Sequence, residues 1–276
     1  METGMPAGSV PAYHDRHGCH TMNKTQIPQL VAHRGYLTRF PENTWRGLRA
    51  ALDAGAEWLE FDIQLCRDGE YVLLHDAGFL RTAGVKRAVF DMDSRHIDIS
   101  VHEPARFGRL FEPTPVATLV EVLENLVAYP GVRVMVELKQ ESIDHWGLDS
   151  VMPKLMPLLV SHQPRCVLIS FNRKALQWCR NQYPEVRIGW VLRRYDAKSR
   201  ELANALNPDY LICNEKKISQ AQTPWRGPWR WMLYDIVDPN QALHWARRGV
   251  DMIETADIAS MLRDPRLTQH TVSHVL

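Results

Sequence analysis

The stretch from Val31 to Gly35 reads V-A-H-R-G, and P-E-N-T follows it at residues 41–44. An apolar run that ends in polar residues and is followed by a helix start is typical of a strand that leads into a helix. Asn43 or Thr44 can cap this helix, because both side chains accept hydrogen bonds from the N–H groups of a first turn. The stretch therefore predicts a βα unit with a histidine and an arginine at the end of its strand.

The same alternation of apolar runs and helical patterns continues along the chain. Repeated βα units predict a parallel sheet, and eight runs in 276 residues favour a (β/α)8 barrel. An open doubly wound sheet with extra strands would give a similar pattern, but no G-x-G-x-x-G motif opens the first helix. The predicted strands are residues 30–33, 58–65, 132–138, 167–171, 186–192, 210–213, 231–236 and 252–254. The predicted helices include residues 44–54, 118–126, 174–181, 199–206 and 240–248.

A hairpin signal follows the second predicted strand, where Asp68-Gly69 separates it from the run 70–75. A two-residue loop here pairs residues whose numbers sum to 137, so it places His75 directly opposite Asp62. Residues opposite each other in a ladder share a face, and His75 would therefore join the side chains that Asp62 faces. Residues 77–115 then form a small insertion before the third barrel strand.

Three acids interrupt apolar strands. Glu60 and Asp62 are two residues apart and share a face, and Glu137 interrupts the next barrel strand. Buried carboxylates repel each other unless something neutralises them. Three oxygen ligands without cysteine indicate one hard divalent cation, Mg²⁺ or Ca²⁺. The competing interpretation is a structural network in which each acid pairs with a basic neighbour such as Lys139.

Two histidines lie at the ends of predicted strands. A single histidine in such a place is more often a hydrogen-bonded core residue, but His33 and His75 together can supply the base and the acid that cleavage of a P–O bond requires. We favour His33 as the base and His75 as the acid that protonates the leaving alcohol. The nucleophile can be a metal-bound water or a hydroxyl of the substrate.

Composition is that of an ordinary globular protein, with 45% apolar and 24% charged residues and a net charge of +1. Scattered Lys and Arg residues argue against nucleic-acid binding, and no apolar stretch approaches the length of a membrane span. Residues 1–27 are polar and predict a disordered extension, with Met22 as a possible start, and residues 28–276 predict one domain. Five widely spaced cysteines predict reduced thiols and a cytoplasmic location.

The order of motifs H-R-G, P-E-N-T, E-x-D, H-D and E-L-K resembles the glycerophosphodiester phosphodiesterase family, in its short form, from about residue 30 to residue 258. The resemblance implies a (β/α)8 barrel that hydrolyses glycerophosphodiesters to sn-glycerol 3-phosphate and an alcohol, with one divalent cation. It implies that His33 and His75 are catalytic and that Arg34 and Lys139 bind phosphate.

Toward the C-terminus the resemblance is looser. S-F at 170–171 and G-V-D-x-I-x-T at 249–255 match the family, but Y-D-I-V stands at 234–237 where many members have W-T-V-N. We predict that Glu42, Phe171, Trp190 and Tyr234 contact the substrate, although Phe171, Trp190 and Tyr234 can also be core residues. A lysophospholipase D-type enzyme, another phosphodiesterase, or an inactive binding barrel are the alternative functions.

Overall fold

The computed structural model of the protein describes residues 27–219 and 221–268. Its strands are β1 Gln29–His33, β2 Trp58–Leu65, β3 Tyr71–Leu73, β4 Ser100–Val101, β5 Thr114–Pro115, β6 Arg133–Leu138, β7 Cys166–Ser170, β8 Arg187–Val191, β9 Tyr210–Asn214, β10 Arg230–Tyr234 and β11 Met252–Thr255. Its helices are α1 Trp45–Asp53, α2 Leu80–Ala83, α3 Pro104–Phe107, α4 Leu119–Asn125, α5 Gln140–Trp146, α6 Leu148–Val160, α7 Arg173–Gln182, α8 Ala197–Leu206, α9 Pro239–Ala246, α10 Ile258–Leu262 and α11 Pro265–Thr268.

Eight parallel strands close into a barrel. β1 pairs in parallel with β2 on one side and with β11 on the other, and the remaining neighbours follow in the order β2, β6, β7, β8, β9, β10 and β11. All eight predicted barrel strands are present, and the five predicted helices correspond to α1, α4, α7, α8 and α9. The predicted (β/α)8 fold is therefore confirmed.

Two apolar layers build the barrel. The interior is filled by a cluster that includes Val31, Trp58, Met135, Met232 and Met252. A larger cluster lies between the outer face of the strands and the surrounding helices. Because side chains alternate along a strand, each interior residue fixes which of its neighbours also point inward.

The hairpin is present, but its register differs from the prediction. β2 and β3 are antiparallel and pair Ile63 with Leu73 and Leu65 with Tyr71, so paired numbers sum to 136. Cys66 and Glu70 close a three-residue loop in which Gly69 has a φ of +86°, which is the αL position of a turn followed by a bulge. The predicted two-residue loop, and with it the pairing of His75 with Asp62, is therefore wrong by one residue.

The insertion after the hairpin has a small core of its own. Phe79, Val89, Phe90 and Ile99 pack against Leu74 and other residues of the hairpin. The insertion also contains α2, α3 and the short β4–β5 pair. It is therefore packed onto the barrel beside the end of β3.

Several other expectations concern the whole chain. Among the described residues, no helix has the length and apolarity required to cross a membrane. Cys66, Cys166, Cys179 and Cys213 are buried free thiols, as expected, whereas Cys19 lies outside the described residues. The expected N-terminal extension and the start at Met22 also lie outside them, apart from residue 27.

Candidate active site

Strand alternation brings the acids predicted from sequence to one end of the barrel interior. Trp58 belongs to the interior cluster, so Glu60 and Asp62 also point inward and lie nearer the carboxyl end of β2. Met135 places Glu137 in the same way on β6. The structure pairs Asp62 directly with Glu137 across the two strands.

Two groups of potential ligands share this end of the barrel. Glu60, Asp62 and Glu137 each offer one oxygen, and these atoms all lie within 4.8 Å of one another. His33, Glu60 and Glu254 form a second group by the same criterion. The three predicted acids therefore do come together, and Glu254 on β11 joins them although it was not predicted.

The charge balance of this site favours a cation. Burial and mutual repulsion raise the pKa of Glu60 well above its usual value, the pKa of Glu137 to about 7 and the pKa of Glu254 to about 8. Four inward carboxylates, including Asp62, face the two basic side chains of Arg34 and Lys139. The all-oxygen set of Glu60, Asp62 and Glu137 has the chemistry that Mg²⁺ or Ca²⁺ prefers, so these residues fit such an ion.

Asp62 is the acid that the basic side chains stabilise. Arg34 Nε lies 3.0 Å from Asp62 Oδ2, and Lys139 Nζ lies 3.2 Å from Asp62 Oδ1. Burial alone would raise the pKa of Asp62, but Arg34 and Lys139 hold it well below its usual range. Lys139 Nζ also donates to Glu137 Oε1 over 2.8 Å. The structure thus brings both predicted phosphate-binding residues into the site.

Asn43 contacts Asp62 and does not cap α1, a role that its sequence pattern does not predict. Its amide Nδ2 donates to Asp62 Oδ2 over 3.0 Å, and its Oδ1 accepts from the Asp62 backbone N–H over 3.1 Å. Thr44 is the residue that caps α1, since its hydroxyl accepts from the Gly47 N–H. Asn43 adopts a φ of +53°, which turns its amide toward β2. The P-E-N-T segment, which the sequence identifies only as a helix start, therefore also orients Asp62, a predicted metal ligand.

The two histidines have different surroundings. Burial, assisted by Arg34, lowers the pKa of His33 to about 3, so its imidazole is neutral at neutral pH. His75 follows the end of β3, and its Nδ1 lies 2.6 Å from Asp76 Oδ1. His75 lies within electrostatic reach of His33 and Asp62 despite the register change, since it is among the groups that influence the pKa of each. The backbone leaves the ladder after Leu74, so strand alternation no longer decides where His75 points.

Two arginine side chains bind the Glu42 carboxylate. Arg34 Nη1 donates to Glu42 Oε1 over 3.0 Å, and Arg81 donates to both Glu42 oxygens over 2.7 Å. The Glu42 side chain is only 4% exposed. The structure therefore makes Glu42 an anchor that fixes Arg34, and the predicted substrate contact through Glu42 is not what this geometry supports.

The other side of the barrel mouth carries two partly buried aromatic rings. Phe171 and Tyr234 pack against the top of the interior cluster, and the Arg193 guanidinium lies 4.9 Å from the centre of the Phe171 ring. Trp190 instead belongs to the outer cluster under the helices, which supports the alternative that it is a core residue. Val191 is the β8 residue that points inward.

The chain matches the model of the glycerophosphoryl diester phosphodiesterase family over residues 33–258. It is similar to a glycerophosphodiester phosphodiesterase from Caldanaerobacter subterraneus subsp. tengcongensis, with 29% identity over 160 residues, which are 58% of this chain and 65% of the relative. That match therefore spans less than two thirds of the relative. A glycerophosphodiester phosphodiesterase from Bacillus altitudinis is 26% identical over 239 residues, covering 71% of this chain and 91% of the relative.

The fold is also found in a phosphodiesterase from Oleispira antarctica, whose structure contains the product sn-glycerol-3-phosphate. The two structures superpose with a TM-score of 0.74 at 23% identity, covering 85% of this chain and 95% of the other. The family match begins at His33 and includes both histidines and all four acids of the barrel end described above. The chain belongs to the glycerophosphoryl diester phosphodiesterase family.

Proposed function

We propose that this protein is a metal-dependent phosphodiesterase that hydrolyses glycerophosphodiesters to sn-glycerol 3-phosphate and an alcohol. The observation that carries the proposal is the convergence of Glu60, Asp62 and Glu137, with His33 and His75 beside them, at the carboxyl end of the barrel. This is the end where barrel enzymes place their chemistry. Membership of the family supports the same reaction class.

Glu60, Asp62 and Glu137 would hold one divalent cation, Mg²⁺ or Ca²⁺, which when bound supplies positive charge to a phosphate oxygen and to the charge that develops during P–O cleavage. Arg34 and Lys139 add donors of fixed orientation beside the same acids. A guanidinium suits two phosphate oxygens at once, whereas the ammonium acts as a compact charge. Together they would bind and orient the phosphodiester.

His33 and His75 divide the proton transfers. His33 is neutral and so can accept a proton from the nucleophile. His75 lies at the mouth, half-buried, where it can donate a proton to the departing alcohol oxygen. A water molecule or the glycerol hydroxyl of the substrate can be the nucleophile, and both routes need one group to accept a proton and one to donate it.

The alcohol part of the substrate would lie against the side of the mouth that carries the two aromatic rings. Phe171 and Tyr234 supply apolar surface there. Four buried free thiols support the action of the enzyme in a reducing compartment such as the cytoplasm.

A substrate panel tests the proposal. Purified protein is incubated with glycerophosphocholine, glycerophosphoethanolamine and glycerophosphoglycerol, and release of sn-glycerol 3-phosphate is measured with an enzyme-coupled assay. We expect turnover of at least one of them in the presence of Mg²⁺ or Ca²⁺. No turnover of any glycerophosphodiester with either metal would contradict the proposal and favour a binding barrel.

Lysophosphatidylcholine is the contrast substrate. The insertion carries two exposed leucines, Leu80 at 62% and Leu110 at 74% exposure, which is the kind of surface that an acyl chain would need. Release of choline from lysophosphatidylcholine without turnover of glycerophosphodiesters would assign the protein to lysophospholipase D-type chemistry instead.

A further inference from the structure

We propose that Arg81, on the insertion beside the barrel mouth, positions the acid that protonates the leaving alcohol: it fixes Asp76, and Asp76 fixes the imidazole of His75. This inference rests on the proposed function and adds a residue outside the predicted site. Arg81 acts through another side chain and is therefore a positioning residue.

The guanidinium of Arg81 joins two carboxylates. Its Nε and Nη2 donate to Asp76 over 2.9 and 3.1 Å, and its Nη1 and Nη2 donate to Glu42 over 2.7 Å each. A planar guanidinium can serve two carboxylates at once because its donors point along fixed directions. Arg81 therefore connects the H-D pair after β3 to the P-E-N-T segment before α1.

Asp76 in turn orients the imidazole of His75, which is the proposed acid. Its Oδ1 lies 2.6 Å from His75 Nδ1, so it accepts the proton of that nitrogen. An acceptor on one ring nitrogen decides which nitrogen is free for chemistry. With Nδ1–H held by Asp76, the Nε2 proton of the imidazolium passes to the departing alkoxide oxygen as the P–O bond breaks, which leaves a neutral imidazole that still carries its Nδ1 proton.

The insertion holds Arg81 in place by packing. Phe79, two residues earlier, is fully buried in the small core of the insertion. A Cβ atom at Gly78 would lie 2.5 Å from the Arg87 carbonyl oxygen, so only glycine fits at this position. The Thr82 carbonyl accepts from the Glu103 N–H over 2.8 Å, and Glu103 Oε2 accepts from the Glu42 N–H over 2.7 Å. The position of Arg81 is thus fixed from both sides.

A purely structural role for Arg81 is the competing explanation, and dependence on the leaving group separates the two. An alcohol such as choline needs a proton to depart, whereas p-nitrophenol departs without one. Loss of an acid, or of the group that aims it, should therefore slow glycerophosphocholine far more than the p-nitrophenyl ester of glycerol 3-phosphate. A general disturbance of the site would slow both substrates equally.

Arg81→Gln is the test variant, with Mg²⁺ or Ca²⁺ present throughout. We expect kcat with glycerophosphocholine to fall about 10- to 100-fold, kcat with the p-nitrophenyl ester to fall less than about 3-fold, and KM to change little for either. Asp76→Asn should show the same split between substrates. The double variant should lose no more than Asp76→Asn alone, because both changes interrupt one chain of contacts.

Arg87→Gln is the matched control. Arg87 is on the same insertion and donates to Asp98 over 2.8 Å, away from Asp76, Glu42 and Glu103. We expect Arg87→Gln to change both substrates by the same factor. If Arg81→Gln also changes them equally, or changes neither, the positioning role is overturned.

Arg81→Lys covers the case in which Arg81→Gln does not fold. The lysine keeps the charge beside Glu42 but cannot bond both carboxylates through a planar fork, so the folded variant should show the same split with a smaller loss. An equal loss on both substrates would overturn the inference here as well. Inactivity of the unmodified protein on both diesters would instead contradict the proposed function.

Discussion

The two sides of the barrel mouth differ in how their residues are held. On the side of β11, β1, β2 and β6, Glu60, Asp62, Glu137 and Glu254 are buried among ion pairs of about 3 Å. On the side of β7 to β10, Phe171 and Tyr234 are only partly buried and rest on the apolar interior. We call these the acidic side and the aromatic side.

The two sides should differ in which kinetic constant a substitution changes. A buried group of like charges has few stable arrangements, because each carboxylate needs a cation or a hydrogen-bond donor at a fixed place. Apolar surface at an open rim has no such requirement, so its residues can change without loss of the charged network. We therefore expect substitutions on the acidic side to change kcat and substitutions on the aromatic side to change KM.

Replacement of the histidines is the strongest test of this division. His33→Ala and His75→Ala should each lower kcat by about 10²-fold or more, the usual scale for loss of a positioned acid or base. The His75 variant should lose less with a p-nitrophenyl ester. His96→Ala is the control, because His96 is 80% exposed on the insertion. Near-normal turnover of glycerophosphocholine by either variant would remove that histidine from the mechanism.

A substitution in the hairpin loop tests whether turnover depends on the position of the segment that carries His75. Gly69 has a φ of +86°, a conformation that costs a residue with a side chain about 1–2 kcal/mol and a β-branched residue most. Gly69→Val should lower the free energy of unfolding in urea by that amount and reduce kcat by moving the segment that carries His75.

Gly69→Asn provides the comparison for this loop, since Asn tolerates positive φ better than other side chains. It should retain most of the stability and activity. Equal behaviour of the Val and Asn variants would show that the positive φ of the loop does not matter.

The pH dependence of stability tests the charge balance of the acidic side. Glu137 and Glu254 have pKa values of about 7 and about 8, above the ordinary 4.5, whereas the pKa of His33 is lowered from 6.5 to about 3 and acts in the opposite direction below pH 6.5. Between pH 6.5 and 8 the two glutamates decide the balance, and the folded metal-free protein binds more protons than the unfolded chain. Its stability should therefore fall as pH rises through this window. Thermal unfolding in EDTA should show the decline, and Mg²⁺ or Ca²⁺ should reverse it at pH 8. A thermal midpoint that rises with pH in EDTA would contradict this balance.

Substitution on the aromatic side should have the smallest effect on turnover. Phe171→Ala should raise KM for glycerophosphocholine about 5-fold, equivalent to roughly 1 kcal/mol of apolar contact, with kcat nearly unchanged. Val237→Ala is the control, since Val237 is 52% exposed three residues beyond Tyr234. A fall in kcat for Phe171→Ala with KM unchanged would break the division between the two sides.

The same contrast explains what the sequence could predict. Acids in apolar strands are conspicuous, so strand alternation alone was enough to place Glu60 and Asp62 on one face and to select Glu137 as their partner. Glu254 has the same signal on β11 and could have been found by the same argument. Trp190 could not be placed, because β8 reads R-I-G-W-V and, after the exposed Arg187 at its start, carries no polar residue to show which side is inward.

The hairpin register and the contacts of Asn43 and Arg81 were not predicted, because they depend on local backbone geometry and on packing between distant segments. The register of the hairpin depends on whether Gly69 occupies the second position of a two-residue loop or the third position of a three-residue loop. The sequence D-G is compatible with both. Asn43 bonds Asp62 over a separation of 19 residues, and Arg81 bonds Glu42 over a separation of 39 residues. Such contacts depend on how the P-E-N-T segment and the insertion pack together, which residue patterns within one segment do not encode.

Metal reconstitution is the most direct test of the central claim that the acidic side carries a metal-dependent phosphodiesterase reaction. The protein is stripped with EDTA, its metal content is measured by mass spectrometry, and turnover of a glycerophosphodiester is followed as Mg²⁺ or Ca²⁺ is added. We predict no turnover in the metal-free protein, recovery with one ion per chain, and no recovery in Glu60→Gln. Full turnover in EDTA with no metal detected in the protein would contradict the account.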